Sequence, residues 1–284
     1  MDWNKAKTLM IIFLLILNAF LGVLVYMDRN KYKMDQRQEK AITDLLERNS
    51  IKLDGVIPTS FRPMKPLAMD GYDYEIGALL DLFFQGAQPA EIYQSSDDEK
   101  ISYEWGNRML TIQNGYISFY NPEGDSPMIL GEAVARERCA AFLQGMPYEF
   151  PNFKLDNIIK LSDPDGMILQ YYQEYKGSLV IKNFIEITVS SAGIVQVDCT
   201  YSKPLGFTGT ATDICAPDEA LLNVMQMIKS YLGSGEISIS RMDLVYGQEK
   251  GRAMETANLI PVYRVYGDMW DDPFLLNAYT NTIY

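Results

Sequence analysis

The longest apolar stretch lies at the start of the chain. Residues 9–27 carry Leu, Ile, Phe or Val at thirteen of nineteen positions, interrupted by Asn18, Ala19 and Gly22. At about 1.5 Å per residue such a run spans roughly 29 Å, one hydrocarbon thickness. Its large apolar side chains contribute about −4 to −8 kcal/mol toward insertion. Asn18 costs less than the roughly 2.5–3.5 kcal/mol of a central charge. The pattern predicts a short tail over 1–7 and a transmembrane helix over 8–27, with Trp3 and Tyr26 as interface anchors. A cleaved signal peptide has a shorter apolar core and then a small-residue site. Here the run ends Leu24-Val25-Tyr26-Met27-Asp28-Arg29, and no cysteine follows for lipoprotein processing.

Beyond the run, the apolar positions become periodic. Residues 34–48 place Ile42, Leu45 and Leu46 on one side, with Asp35, Arg37, Glu39 and Lys40 interspersed. This predicts a juxtamembrane helical stalk over 28–50. Residues 51–70 hold Pro58, Pro63 and Pro66 and read as extended chain. A short helix is predicted over 75–84, with Ile76, Leu79, Leu80 and Phe83 on one face and Gly86 and Pro89 stopping it. Strands follow over 100–105, 108–113 and 116–120. Gly106-Asn107 and Asn114-Gly115 mark their turns, and the Asn-Gly pair favours positive φ.

The same order recurs. A helix over 132–144 precedes strands over 155–161, 167–175, 179–189 and 194–201. Asp165-Gly166, Lys176-Gly177 and Ala192-Gly193 mark their turns. A third helix over 217–232 opens with Pro217, places Asp218 and Glu219 at the positive end of its dipole, and is capped by Gly233. Its apolar face is Leu221, Met225, Ile228 and Leu232. Strands over 236–246, 259–266 and 274–280 close the chain. A helix followed by an antiparallel meander thus appears about three times. That is α+β rather than βαβ: lobes over 51–125 and 126–284, each sheet packed with a helix.

Composition narrows the chemistry. The 284 residues are 48% hydrophobic and 22% charged, enough for a core. With 37 acids against 25 bases the net charge is −12. This argues against nucleic acid as the main partner, because phosphate binding needs a basic footprint. There is no histidine, so no Ser-His-Asp triad, Cys-His pair or His-ligated metal exists in this chain. None of Cys139, Cys199 and Cys215 forms a CxxC. Cys139 shares a helix face with Ala135, Phe142 and Leu143 and reads as core. Cys199 and Cys215 are left open between a disulfide and two free thiols. The acids concentrate after residue 33, so the domain is expected to stand off an anionic membrane surface. Lys5 and Lys7 precede the apolar run, while Arg29, Lys31, Lys33, Arg37 and Lys40 follow it. Charge counting places the large domain inside, yet long domains translocate largely regardless of charge, so orientation stays open on this ground.

Few residues suggest a site. Asn18 and Gly22 stand one turn apart, and Ile11 and Val25 fall a heptad either side of Asn18. This face suits a partner helix, since a small residue permits close approach and a central amide usually faces protein. The alternative is a lipid-facing helix that tolerates Asn18. Asp163-Pro164-Asp165-Gly166 lacks the further ligands of a calcium loop and reads as a turn. Residues 95–100 and the acids Asp268, Asp271 and Asp272 read as solvated loops. Glu174 and Glu186 near Tyr171, Tyr172 and Tyr175 supply the residue types of an anchored glycosidase. Any acidic β-rich protein offers such pairs, and no acid/base arrangement stands out. No catalytic, cofactor-binding or metal-binding residue is assigned.

The opening Met1-Asp2-Trp3-Asn4-Lys5-Ala6-Lys7-Thr8, leading into an anchor with Leu17-Asn18 near its middle, resembles the start of the YycI proteins. These regulate the WalK–WalR cell-wall two-component system in low-GC Gram-positive bacteria. The resemblance extends to residues 51–58, to the hairpin over 171–193, and to a PepSY-like ending. That ending is Pro261-Val262-Tyr263-Arg264-Val265 followed by Leu276-Asn277-Ala278-Tyr279-Thr280. The aromatic, acidic loop over 267–272 departs from the pattern. The resemblance implies a single-pass protein of the cell membrane with a cytoplasmic N-terminus and an extracytoplasmic domain. It implies no catalysis, and a complex with a YycH-like membrane protein and a WalK-type sensor histidine kinase. A PepSY-like inhibitor or chaperone of an exported wall hydrolase or protease is the alternative.

Overall fold

Local sequence sets most of the elements of the computed structural model. It describes residues 3–71, 74–95, 100–147, 152–162, 165–231, 236–248, 258–270 and 272–284. In chain order, α1 (Trp3–Lys31) and α2 (Gln36–Arg48) precede β1 (Ile51–Leu53) and β2 (Leu67–Asp70). Next come α3 (Ile76–Phe84), β3 (Ala90–Ser95), β4 (Lys100–Trp105), β5 (Arg108–Gln113) and β6 (Tyr116–Tyr120). Then follow α4 (Glu132–Gln144), β7 (Phe153–Ser162), β8 (Asp165–Tyr175), β9 (Ser178–Ser190), β10 (Gly193–Thr200) and β11 (Lys203–Phe207). The chain ends with α5 (Pro217–Tyr231), β12 (Ile237–Gly247), β13 (Ile260–Gly267), β14 (Phe274–Asn277) and β15 (Thr282–Ile283).

The α+β class is as the sequence predicts. Asn114 and Gly115 both take positive φ, 49° and 74°, the two-residue turn that suits the right-handed twist of a hairpin. Lys176 and Gly177 do the same between β8 and β9. Five short strands, β1, β2, β3, β11 and β15, lie where the pattern gave only extended chain, loop or no element. Asp165 and Gly166 are strand rather than turn: they pair with Ser162 and Leu161. Asp163 and Pro164 lie outside the described residues, as do Met1, Asp2, Ser96–Glu99, Leu232, Gly233 and Asp271.

The chain forms two units. Unit 1 comprises Met1–Met64, Thr210–Asp243 and Val262–Tyr284; unit 2 comprises Lys65–Gly209 and Leu244–Pro261. These boundaries differ from the expected lobes over 51–125 and 126–284, because strands distant in sequence pair. Ile51 of β1 lies parallel to Ile237 of β12 in unit 1. Gln196 of β10 lies opposite Tyr120 of β6 in unit 2.

In unit 1 the strand order is β15-β14-β13-β12, with β1 paired to β12. Helices α2 and α5 pack together. Ile42 and Leu46 of α2 are buried, as are Leu221, Val224 and Ile228 of α5. The region expected as a stalk is therefore part of a core. An amphipathic helix with two buried aliphatic side chains gains about 1.5–3 kcal/mol for each one removed from water, which a solvated stalk would forgo.

In unit 2 the order β7-β8-β9-β10-β6-β5-β4-β3 is antiparallel throughout. One inward row runs Leu110, Phe119, Val197, Ile187, Leu169; the next runs Ile112, Ile117, Cys199, Ile185, Tyr171. All ten are buried, with Leu79, Phe83 and Phe84 of α3 and Ala135 and Cys139 of α4 in the same core. The strand period of two puts Thr111, Ser118, Asp198, Glu186 and Gln170 in the intervening row on the opposite face.

Candidate functional site

The apolar part of α1 runs from Ala6 to Met27, 22 residues of mean hydropathy 2.7, none of it buried by the rest of the chain. It is long enough to cross a bilayer. Helical geometry brings Ile11, Asn18, Gly22 and Val25 onto one stripe. All four are exposed, Ile11 by 58% and Val25 by 52%. The Asn18 amide nitrogen donates to the Leu14 carbonyl at 2.9 Å, so half of its polarity is met inside its own helix. Its oxygen accepts no hydrogen bond among the described residues, and the side chain is exposed. Nothing lies within 4 Å of where a Gly22 side chain would be. Trp3 and Tyr26 are exposed near the two ends of the span, and the Lys7 ammonium lies 5.3 Å from the Trp3 ring centre.

Immediately after α1 the chain is clamped into unit 1. The Phe61 N–H donates to the Tyr32 carbonyl at 3.0 Å, and the Met34 N–H donates to the Thr59 carbonyl at 2.8 Å. Lys33 and Ser60 form an antiparallel bridge between these two bonds. The Tyr32 ring meets Phe61 edge-on at 6.2 Å, and its hydroxyl donates to Asp213 at 3.3 Å. Met34 is buried. Asp35 then starts α2 with a capping box. Its carboxylate accepts the Arg37 and Gln38 N–H groups at 2.8 Å, and the Gln38 side chain accepts the Asp35 N–H at 2.9 Å.

Sequence reasoning missed this junction. The Asp35-x-x-Gln38 spacing is a readable helix start and marks the break between α1 and α2. No local signal pairs Tyr32 with Asp213, which is 181 residues away.

The other sequence-derived candidates are dispersed. Lys154 forms an ion pair with Glu174. Glu186 accepts from Gln170 at 2.8 Å, on the sheet face opposite the core. Asp268 is exposed in a turn, as expected of a solvated loop, and its carboxylate accepts the Ser238 N–H at 2.9 Å while its N–H donates to the Ser238 carbonyl at 3.1 Å. Trp270 packs on Phe274, ring centres 4.5 Å apart. All three cysteines are free, Cys139 and Cys199 buried. Burial pushes the Cys139 thiol up to about 12 and the Cys215 thiol up to about 11. Among the described residues no three acidic or thiol side chains gather as a metal site.

No family model matches the chain, and no curated protein matches it. Solved structures do. An uncharacterized protein from Eubacterium rectale aligns with a TM-score of 0.56 at 15% identity, over 83% of this chain and 91% of that one. The two share a fold. Looser likenesses are the Bacillus megaterium YpeB C-terminal domain and Bacillus subtilis YycH. The first has a TM-score of 0.41 at 8% identity, over 75% of this chain and 96% of that one. The second has 0.43 at 13% identity, over 77% and 55%.

Proposed function

We propose that this chain is a membrane-anchored, non-catalytic regulator of a cell-wall-sensing histidine kinase. It acts by complex formation, through α1 and its extracytoplasmic units, with a YycH-like membrane partner and a WalK-type kinase. The N-terminus is cytoplasmic and both units are outside. The junction at Tyr32, Lys33 and Met34 carries this reading. A tether that only holds a domain at a surface needs no fixed geometry after its last membrane residue. Here two backbone hydrogen bonds, a strand bridge and the Tyr32–Asp213 bond tie the end of α1 to the rest of unit 1. A shift or rotation of one is then felt by the other. Such coupling biases a kinase only through differential affinity for its output states. The opening octapeptide, similar to that of the YycI proteins, supports the same reading.

The test is recovery of partners from membranes. The tagged full-length chain is solubilised gently beside a version with residues 9–27 scrambled at constant composition. Recovery of a histidine kinase with the native helix and its loss with the scrambled one is the expected result. Recovery of a secreted hydrolase or protease with both versions overturns it in favour of an anchored inhibitor or chaperone.

A further inference from the structure

Unit 2 has a sheet face that the regulator reading does not use. One face shares its core with α3 and α4. The other carries the row Ser102, Thr111, Ser118, Asp198, Glu186 and Gln170, register partners across β4, β5, β6, β10, β9 and β8. With about 4.8 Å between strands, the row is about 24 Å long. Residues two positions away on a strand share its face. Met109 and Tyr120, partners across β5 and β6, therefore flank the row on one side. Tyr116 and Phe184 flank it on the other, and their rings lie 6.3 Å apart across β10. Tyr120 is 47% exposed, Met109 43% and Tyr116 40%. On β6 the backbones of Tyr116 and Tyr120 are about 14 Å apart, with Ser118 between them. The face is a shallow trough across the strands, with a polar floor and aromatic walls open to solvent.

The acids of the floor are held in position by their neighbours. The Tyr116 hydroxyl donates to Asp198 Oδ1 at 2.8 Å, and Gln196 Nε2 donates to Asp198 Oδ2 at 2.5 Å. Gln170 Nε2 donates to Glu186 Oε1 at 2.8 Å. A carboxylate oxygen has two lone pairs, so both groups keep acceptor capacity. Asp198 and Glu186 stand directly opposite each other on β10 and β9. Like charges so placed weaken a sheet. An occupant that brings O–H or N–H donors relieves that repulsion, and an anionic one adds to it. The layout also separates a polymer from a folded protein partner. The centre of a protein–protein interface is depleted of Asp, Glu and Ser. Here those types form the centre, and the apolar groups stand at its sides.

We propose that this trough binds an uncharged polysaccharide along its length. The C–H faces of the sugar rings rest on the tyrosine walls, whose ring faces carry negative charge density that attracts them. The sugar hydroxyls donate to Asp198 and Glu186 and exchange hydrogen bonds with Thr111 and Ser118. Tyrosine offers large, rigid contact area at low cost in conformational entropy. Open β faces bind oligosaccharides in other folds. A floor about 24 Å long suits several linked rings rather than one. The site stands apart from the regulator reading, and its test involves no kinase.

The test is a ligand-observed NMR titration of the full chain in nanodiscs. Four probes are compared: cellohexaose and chitohexaose, both uncharged, hexagalacturonate, which is anionic, and glucose. Saturable binding of at least one uncharged hexasaccharide is expected. Glucose, too short for the trough, and hexagalacturonate, repelled by the acid pair, should each bind about tenfold more weakly or worse. Asp198→Asn combined with Glu186→Gln should remove most of the discrimination against hexagalacturonate. Tyr120→Ala, at an exposed position, should weaken hexasaccharide binding by about tenfold or more with an unchanged melting temperature. Trp105→Ala is the control: this exposed aromatic alternates to the other side of the sheet and should leave binding unchanged. The proposal is overturned by absence of saturable binding, which leaves the face to a protein partner. Equal binding of hexagalacturonate, discrimination that survives the double variant, or binding unaffected by Tyr120→Ala also overturns it.

Discussion

Arg264 is 1% exposed and grips Asp243 with two parallel hydrogen bonds, Nε to Oδ1 at 2.9 Å and Nη2 to Oδ2 at 2.7 Å. The pair links the neighbouring strands β12 and β13 within unit 1. Removing Asp243 takes two charge-assisted hydrogen bonds from a buried guanidinium. Asp243→Ala is expected to cost about 3–5 kcal/mol in unfolding free energy, whereas the pair replacement Asp243→Leu with Arg264→Met recovers most of it. Urea unfolding measures both. Lys154→Ala, which breaks a largely exposed pair with Glu174, should cost under about 1 kcal/mol.

Gly55 marks a close backbone approach rather than a turn. A side-chain carbon there would fall 1.9 Å from the Ser240 carbonyl oxygen. Gly55→Ala should therefore destabilise the chain by about 1–3 kcal/mol through forced backbone displacement. Gly77→Ala is the control: nothing lies within 4 Å, and its helix gains propensity. A lower thermal midpoint for the first alone is the expected result.

The buried thiols make stability fall at alkaline pH. Burial holds the Cys139 proton up to about 12, whereas an unfolded cysteine releases it near about 8.5. Between those values the unfolded chain binds fewer protons than the folded one, so stability declines as pH rises through that window. Cys139→Ala should flatten the decline, read by urea midpoints at pH 8 and 10. In the native chain at pH 8, a thiol reagent should label Cys215 ahead of Cys139 and Cys199, because it is the least buried of the three.

On the regulator reading, the anchor stripe and the junction separate from ectodomain folding. Asn18→Leu removes an interhelical amide contact worth about 0.6–2 kcal/mol, so kinase recovery should drop about 3- to 30-fold. Gly22→Leu should act likewise by blocking close approach. Tyr32→Phe removes the hydroxyl that reaches Asp213 and should lower reporter coupling with kinase recovery retained. Unaltered melting of the protein outside the membrane, followed by circular dichroism, checks that folding is untouched.

Much of the fold was legible because it is written over short spans. The strands over 100–105, 108–113 and 116–120 and the helix over 132–144 fall where periodicity and Asn-Gly turns place them. The misassigned stalk shows the limit. Ile42 and Leu46 announce one apolar face on α2 but not what covers it, and the covering helix α5 lies about 180 residues on. The expected lobes failed for a related reason. Repeated helix-then-meander patterns suggest contiguous units, yet β1 pairs with β12 and β6 with β10. The candidate stripe on α1 was wholly readable from heptad spacing.

The amino-acid order alone settled the membrane-length helix, the α+β class, the hairpin turns and the exclusion of histidine chemistry. These follow from composition and from backbone preferences over a few residues. Folding in three dimensions settled the rest: the clamp from Tyr32 to Asp213 and the burial of Arg264 against Asp243. Each depends on which distant strands share a sheet. That choice rests on summed burial over whole faces, a quantity no short stretch of sequence contains.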